Sequence, residues 1–185
     1  MFTIDRLMRL SSVIPVLVVD DPARAQPMAR ELVARGCRVL EVTLRTPAAL
    51  EVIAEMAKVE GAVVGAGTVL NPRDLEASLS AGAKFIVSPG LTEPVTRAAL
   101  EAKIAYLPGI ATAGDIMRGL DFGLDHFKFF PAMASGGIPT LKALSAPFAA
   151  CRFCPTGGVT EATAPDWLAL ESVLCVGGSW GAEGL

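Results

Sequence analysis

The chain has 185 residues, enough to bury one sizeable core without disulfides, so a single domain over residues 1–185 is expected. Hydrophobic residues make up 52% and charged ones 19%, the composition of an α/β protein with strands buried on both faces, which argues against disorder. The net charge of −3, with no Lys/Arg cluster, argues against a nucleic-acid partner but leaves local phosphate binding open. No apolar run approaches the roughly 18 residues of a membrane span, and the start, Met-Phe-Thr-Ile-Asp-Arg, lacks a basic region before an apolar one, so no membrane association and a cytoplasmic address are expected.

Along the chain, Ile4, Leu7, Met8 and Leu10 first form an apolar helical face. Strand-like runs then recur: IPVLVV from Ile14, VLEVTL from Val39, AVVGAGTV from Ala62 and KFIVS from Lys84. IAYLPG from Ile104, HFKFFP from His126, CRFCPTGG from Cys151 and VLCVGG from Val173 continue the beat, starting roughly 20 to 25 residues apart. Helical stretches lie between them. In the first, Ala25, Met28, Ala29, Leu32 and Val33 make one apolar face that stops at Gly36. Asp74, Glu93 and Asp115 stand near later helix starts, where a carboxylate suits the positive dipole end.

Eight strands alternating with seven helices mean parallel strands with crossovers, and eight strands close a barrel, so the fold expected is a (β/α)8 TIM barrel. An open doubly wound sheet is the alternative; a solenoid is disfavoured because the segments share no consensus. The four cysteines, Cys37, Cys151, Cys154 and Cys175, fall in segments that read as strands. Only CRFC spaces two closely, and with a single histidine in the chain buried small hydrophobes is the preferred reading over a metal or redox site.

Barrel active sites form at the C-terminal strand ends. In VLEVTLR, Glu41, Thr43 and Arg45 alternate, so all three leave one face of a buried strand, toward the barrel mouth. A surface ion pair between Glu41 and Arg45 is the plainer alternative. In GAGTV, Gly65 and Gly67 would let backbone crowd a ligand, and Thr68 offers a rim hydroxyl. HFKFFP sets Lys128 in mid-strand with Phe127, Phe129 and Phe130 around it. Burying an ammonium among aromatics disfavours its charged form and frees the nucleophilic amine that imine formation requires. A snorkelling lysine is the bland alternative. Tandem glycines after the last two strands, Gly157-Gly158 and Gly177-Gly178 followed by Ser179, stand where barrels commonly hold a phosphate on backbone N–H groups.

EVTLRT, VGAGTVLNP, SPGLTEP, LPGIAT, FKFFPA, RFCPTGGV and VLCVGGSW, in that order, make the chain resemble the 2-dehydro-3-deoxy-phosphogluconate (KDPG) and 4-hydroxy-2-oxoglutarate (KHG) aldolases from Ile14 to Trp180. The resemblance implies a class I aldolase with Lys128 forming the Schiff base and Glu41 acting as acid/base. It also implies that Arg45 and Thr68 hold the pyruvate carboxylate, and that Pro89 and Phe130 shape the keto-acid pocket. Gly157, Gly158, Gly178 and Ser179 would receive the substrate's phosphate. Small-molecule 2-keto acid and aldehyde substrates, no metal or other cofactor, a homotrimer and an N-terminal stretch closing the barrel's bottom are implied with it.

KHG cleavage is the rival activity, a metal-dependent epimerase would need histidines the chain lacks, and a non-catalytic phosphate-binding barrel would have no use for Glu41, Arg45 and Lys128 together. The resemblance also implies a further helix after GGSW, which is missing before Leu185. Without it, outward residues of 173–176 and of the first strand are expected to meet water or a neighbouring subunit.

Overall fold

The computed structural model describes residues 3–182. Its strands are β1 (Val13–Leu17), β2 (Val39–Thr43), β3 (Val63–Gly67), β4 (Phe85–Ser88), β5 (Ala105–Ile110), β6 (His126–Phe129), β7 (Arg152–Pro155) and β8 (Val176–Gly178). Helix α1 (Ile4–Leu10) precedes them. The crossovers are α2 (Ala25–Ala34), α3 (Ala49–Met56), α4 (Pro72–Ser80), α5 (Glu93–Glu101), α6 (Ala113–Asp121), α7 (Gly137–Ser145) and α8 (Ala164–Leu168). The ladder runs β7-β6-β5-β4-β3-β2-β1-β8 with parallel pairing. Bridges Phe153↔Val173 and Thr156↔Gly177 join its ends, so the expected barrel forms.

Local chemistry agrees with this course. Asn71 caps α4 by accepting from the Asp74 N–H, with Pro72 at the first helical position. Thr112 and Asp115 cap each other reciprocally at the start of α6. Helix α2 buries Ala25, Met28, Ala29 and Leu32, while Val33 of the expected face is only half-buried. Cys154 alone of the four cysteines lies in a strand; Cys37, Cys151 and Cys175 flank strands instead. Strand β8 is shorter than the run from Val173 suggests, because Leu174 and Cys175 leave the ladder between the Val173 bridge and Val176.

Apolar side chains pack in three groups. Two line the outer wall between barrel and helices, one around Leu40, Val42, Val52 and Ile53, the other around Phe127, Phe129, Phe153 and Trp167. The third fills the bore, where Leu7 and Met8 of α1 meet Ile14, Val39, Phe85 and Leu107. The bore is thus plugged from its N-terminal end by α1, whose Asp5 also lies 3.2 Å from His126 Nε2 at the start of β6.

The exposed seam expected at the last strand is not found. Val173, Cys175 and Val176 are buried, and the turn Trp180–Ala182 lies against β1, with Ala182 packed on the outer core. Beyond the end of β1, Val18 is the exception, at 55% exposure. Glu183–Leu185, which end the chain, lie outside the described residues.

Candidate active site

Strands β2 and β6 stand opposite each other in the ring, with three strands between them either way round. Glu41 of the one and Lys128 of the other enter the bore. Lys128 Nζ donates to both oxygens of Glu41, at 2.9 and 3.2 Å, and the two side chains are only 7% and 4% exposed. The ion pair therefore spans the barrel above the apolar floor. In such surroundings, deleting either partner would leave a buried charge uncompensated, a loss of about 3–5 kcal/mol.

The aromatic box expected around Lys128 is not what surrounds the amine. Side chains alternate along a strand, so Phe127 and Phe129 point to the outer wall, against Phe153 and Trp167 with ring centroids 6.2 and 6.3 Å apart. Phe130 alone stays close, with Nζ 5.4 Å from its ring centre. A carboxylate, rather than a ring of phenylalanines, is the amine's partner. A surface pair between Glu41 and Arg45 is likewise not formed: Arg45 Nε donates to Thr43 Oγ1 at 3.2 Å. The Thr43 hydroxyl has one proton, which it donates to the Leu17 carbonyl at 2.8 Å, so its oxygen is left to accept from the guanidinium. Thr46 donates to the Val19 carbonyl at 2.7 Å, fixing the same β1 exit.

A cavity of about 420 Å³ opens at the C-terminal end of the barrel. Arg45, Phe130, Gly157, Gly158, Gly178 and Ser179 line it, so six of the ten residues singled out in the sequence share one wall. Lys128 and Glu41 are buried and do not themselves line it; Phe130 does, with its ring centre 5.4 Å from Lys128 Nζ. Thr68 and Pro89 do not line the cavity. Thr68 follows β3 half-buried at φ 59°, a left-handed conformation that costs a non-glycine residue about 1–3 kcal/mol. Pro89 is exposed beyond β4, in a turn held by Ser88, whose hydroxyl donates to the Gly90 carbonyl and accepts from Tyr106, each at 2.7 Å. Burial raises the Tyr106 phenol's pKa, keeping it a donor.

Gly157 and Gly158 adopt φ of 98° and 79°, which turns this stretch of backbone along the cavity wall. Gly67 serves a different purpose from the ligand crowding expected of it: a Cβ there would lie 2.2 Å from Glu41 Oε1. It makes room for the carboxylate. Two other contributors had gone unassigned. Thr43 shares the alternating face of Glu41 and could have been read as a support for Arg45, whereas Arg24, which also lines the cavity, sits in an unremarkable polar loop.

The CRFC cysteines diverge, Cys151 into the outer wall and Cys154 into the bore beside Cys175. The neighbouring Cys154 thiol and burial together hold the Cys175 pKa well above its ordinary value, so a neutral thiol lies beneath the ion pair. Among the described residues, no group of three His, Cys, Asp or Glu side chains is placed to hold a metal ion.

Replacing Gly67 by Ala forces either Glu41 or the β3 backbone to move, and overpacking of this kind costs about 1–3 kcal/mol. Urea denaturation is expected to show a loss of that size; a midpoint equal to that of the parent chain would contradict the close approach described.

Comparison with known proteins agrees with this fold. The family model described as "Aldolase: KDPG and KHG aldolase" matches residues 4–184. The 2-dehydro-3-deoxy-phosphogluconate aldolase of Zymomonas mobilis is 58% identical over 177 residues, 96% of this chain and 85% of that protein. The KHG/KDPG aldolase of Escherichia coli is 54% identical, over 95% and 83% of the two chains. Among solved structures, the Zymomonas mobilis aldolase with 3-phosphoglycerate superposes with a TM-score of 0.94 at 58% identity, covering 96% of this chain and 85% of that one. A Legionella pneumophila KDPG aldolase with pyruvate captured as a covalent carbinolamine also gives 0.94, at 43% identity and 97% and 87% coverage. With a matching model over nearly its whole length, relatives above 50% identity and the same barrel, the chain belongs to the KDPG and KHG aldolase family.

Proposed function

We propose that the chain is a class I aldolase that cleaves 2-dehydro-3-deoxy-6-phosphogluconate to pyruvate and glyceraldehyde 3-phosphate through an imine on Lys128. The observation that carries this reading is the amine of Lys128 held 2.9 Å from the Glu41 carboxylate beside a cavity whose charged wall is cationic. The name of the 58% identical Zymomonas mobilis relative supports the substrate, and the carbinolamine captured in the Legionella pneumophila protein supports amine attack on a keto acid.

In this mechanism Glu41 accepts a proton from the Lys128 ammonium, and the free amine attacks the C2 ketone to give a carbinolamine. Glu41 returns its proton to the carbinolamine hydroxyl, which leaves as water, giving a protonated imine and restoring the carboxylate. Glu41 then takes the C4 hydroxyl proton, the C3–C4 bond breaks, and its electron pair flows into the iminium, releasing the aldehyde and leaving an enamine. Protonation at C3 and hydrolysis release pyruvate and regenerate the amine. The iminium is the electron sink, so the step calls for no metal. Arg45, oriented by Thr43, pairs with the C1 carboxylate in a geometry a lysine would not reproduce, with Thr68 beside it. Pro89 and Phe130 bound the keto-acid end, while Gly157, Gly158, Gly178 and Ser179 take the phosphate on backbone N–H and hydroxyl donors. The name of the Escherichia coli relative favours a second activity on 4-hydroxy-2-oxoglutarate, giving pyruvate and glyoxylate by the same steps. We place the enzyme in the cytoplasm as a homotrimer.

Pyruvate release from the phosphorylated sugar acid, followed through a coupled assay, tests the activity. Glu41→Gln is expected to slow turnover by about 10²-fold or more, the scale of a general acid/base contribution, and unchanged turnover would remove Glu41 from the mechanism. Sedimentation velocity is expected to give three times the mass of the chain; a monomer at all concentrations would rule the trimer out.

A further inference from the structure

Among the described residues, the cavity wall carries two charged side chains, Arg24 and Arg45, and no carboxylate. Arg45 follows Glu41 along the same strand exit and is tied to Thr43, and the aldolase reading above gives it the keto-acid end. The glycine amides and the Ser179 hydroxyl of the same lining offer neutral donors only, whereas a phosphate entering beside them brings between one and two negative charges at neutral pH. The second formal positive charge in that lining is Arg24.

The backbone under Arg24 is well anchored. It ends the turn Pro22–Arg24, where the Asp21 side chain accepts from the Ala23 N–H at 2.9 Å and the Asp21 carbonyl from the Arg24 N–H at 3.1 Å. The next residues start α2, which buries Ala25 and Met28. The side chain itself is exposed at the cavity mouth, and its guanidinium has five donors, so serving an anion there is compatible with contacts to the protein.

We infer that Arg24 is the cavity's second anion receptor and selects substrates bearing negative charge at the end remote from the ketone. The inference rests on the aldolase reading above and deepens it. It assigns recognition of the remote anion, a phosphate or a second carboxylate, to one named side chain, and with it the preference over the same 2-keto acids with a neutral tail.

The test compares kcat/KM for the phosphorylated sugar acid, for 4-hydroxy-2-oxoglutarate and for the sugar acid without its phosphate, in the parent chain and in Arg24→Gln and Arg24→Lys. Because the guanidinium is solvent-exposed, its effect is discounted to roughly threefold to tenfold. Arg24→Gln is expected to lower the ratio of anionic-tail to neutral-tail kcat/KM by that factor, through KM rather than kcat, and Arg24→Lys to keep most of it. An unchanged ratio, or an equal loss on all three substrates, would overturn the assignment. Calorimetric titration of inorganic phosphate into the same proteins needs no turnover: weaker binding in Arg24→Gln supports the receptor, and equal binding refutes it. Failure of the aldolase reading would show separately, as a parent chain that cleaves none of the three.

Discussion

An ammonium and a carboxylate 2.9 Å apart inside an apolar bore are costly to strip of water, and only their mutual contact offsets that cost. Much of the molecule answers to this contact. Strands β2 and β6 face each other across the ring so that Glu41 and Lys128 can meet, and Gly67 lacks a side chain where the carboxylate lies. Beneath the pair, α1 plugs the bore with Leu7 and Met8, and the buried Cys175 thiol is held well above its ordinary pKa by the neighbouring Cys154 and by burial. The cavity opens at the C-terminal end of the barrel, with Phe130 in its lining close to the amine.

That cavity complements the pair by dividing its charge. One guanidinium is oriented through Thr43 to a β1 carbonyl, the other stands on a short anchored turn, and the glycine-rich exits of β7 and β8 lie on the same wall. Binding energy gathered at two anionic ends of a substrate can hold the ketone against Lys128, which is how groups remote from the reacting carbon contribute to rate. Thr68 follows β3 in a left-handed conformation outside this lining.

Period-two alternation and the regular beat of apolar runs made the barrel legible, because parallel strands buried on both faces leave little else for such runs to become. Alternation also placed Glu41, Thr43 and Arg45 on one face. The same rule, applied to HFKFF, argues against an aromatic box, since Phe127 and Phe129 must point away from Lys128; the partner Glu41 lies 87 positions away and is visible only once the ring closes. The short β8 and the covering turn Trp180–Ala182 were hidden for a related reason: both depend on what β1 and α2 present to that seam. Arg24 has no local signature, because a charge in a polar loop acquires meaning only from the cavity it borders.

The central claim is that Lys128 forms the covalent bond. Borohydride reduction in the presence of pyruvate, followed by peptide mass analysis, tests it most directly. The account predicts a stable adduct on the peptide carrying Lys128 and on no other lysine. An adduct on Lys84 or Lys142 instead, or no adduct from folded protein, would contradict it.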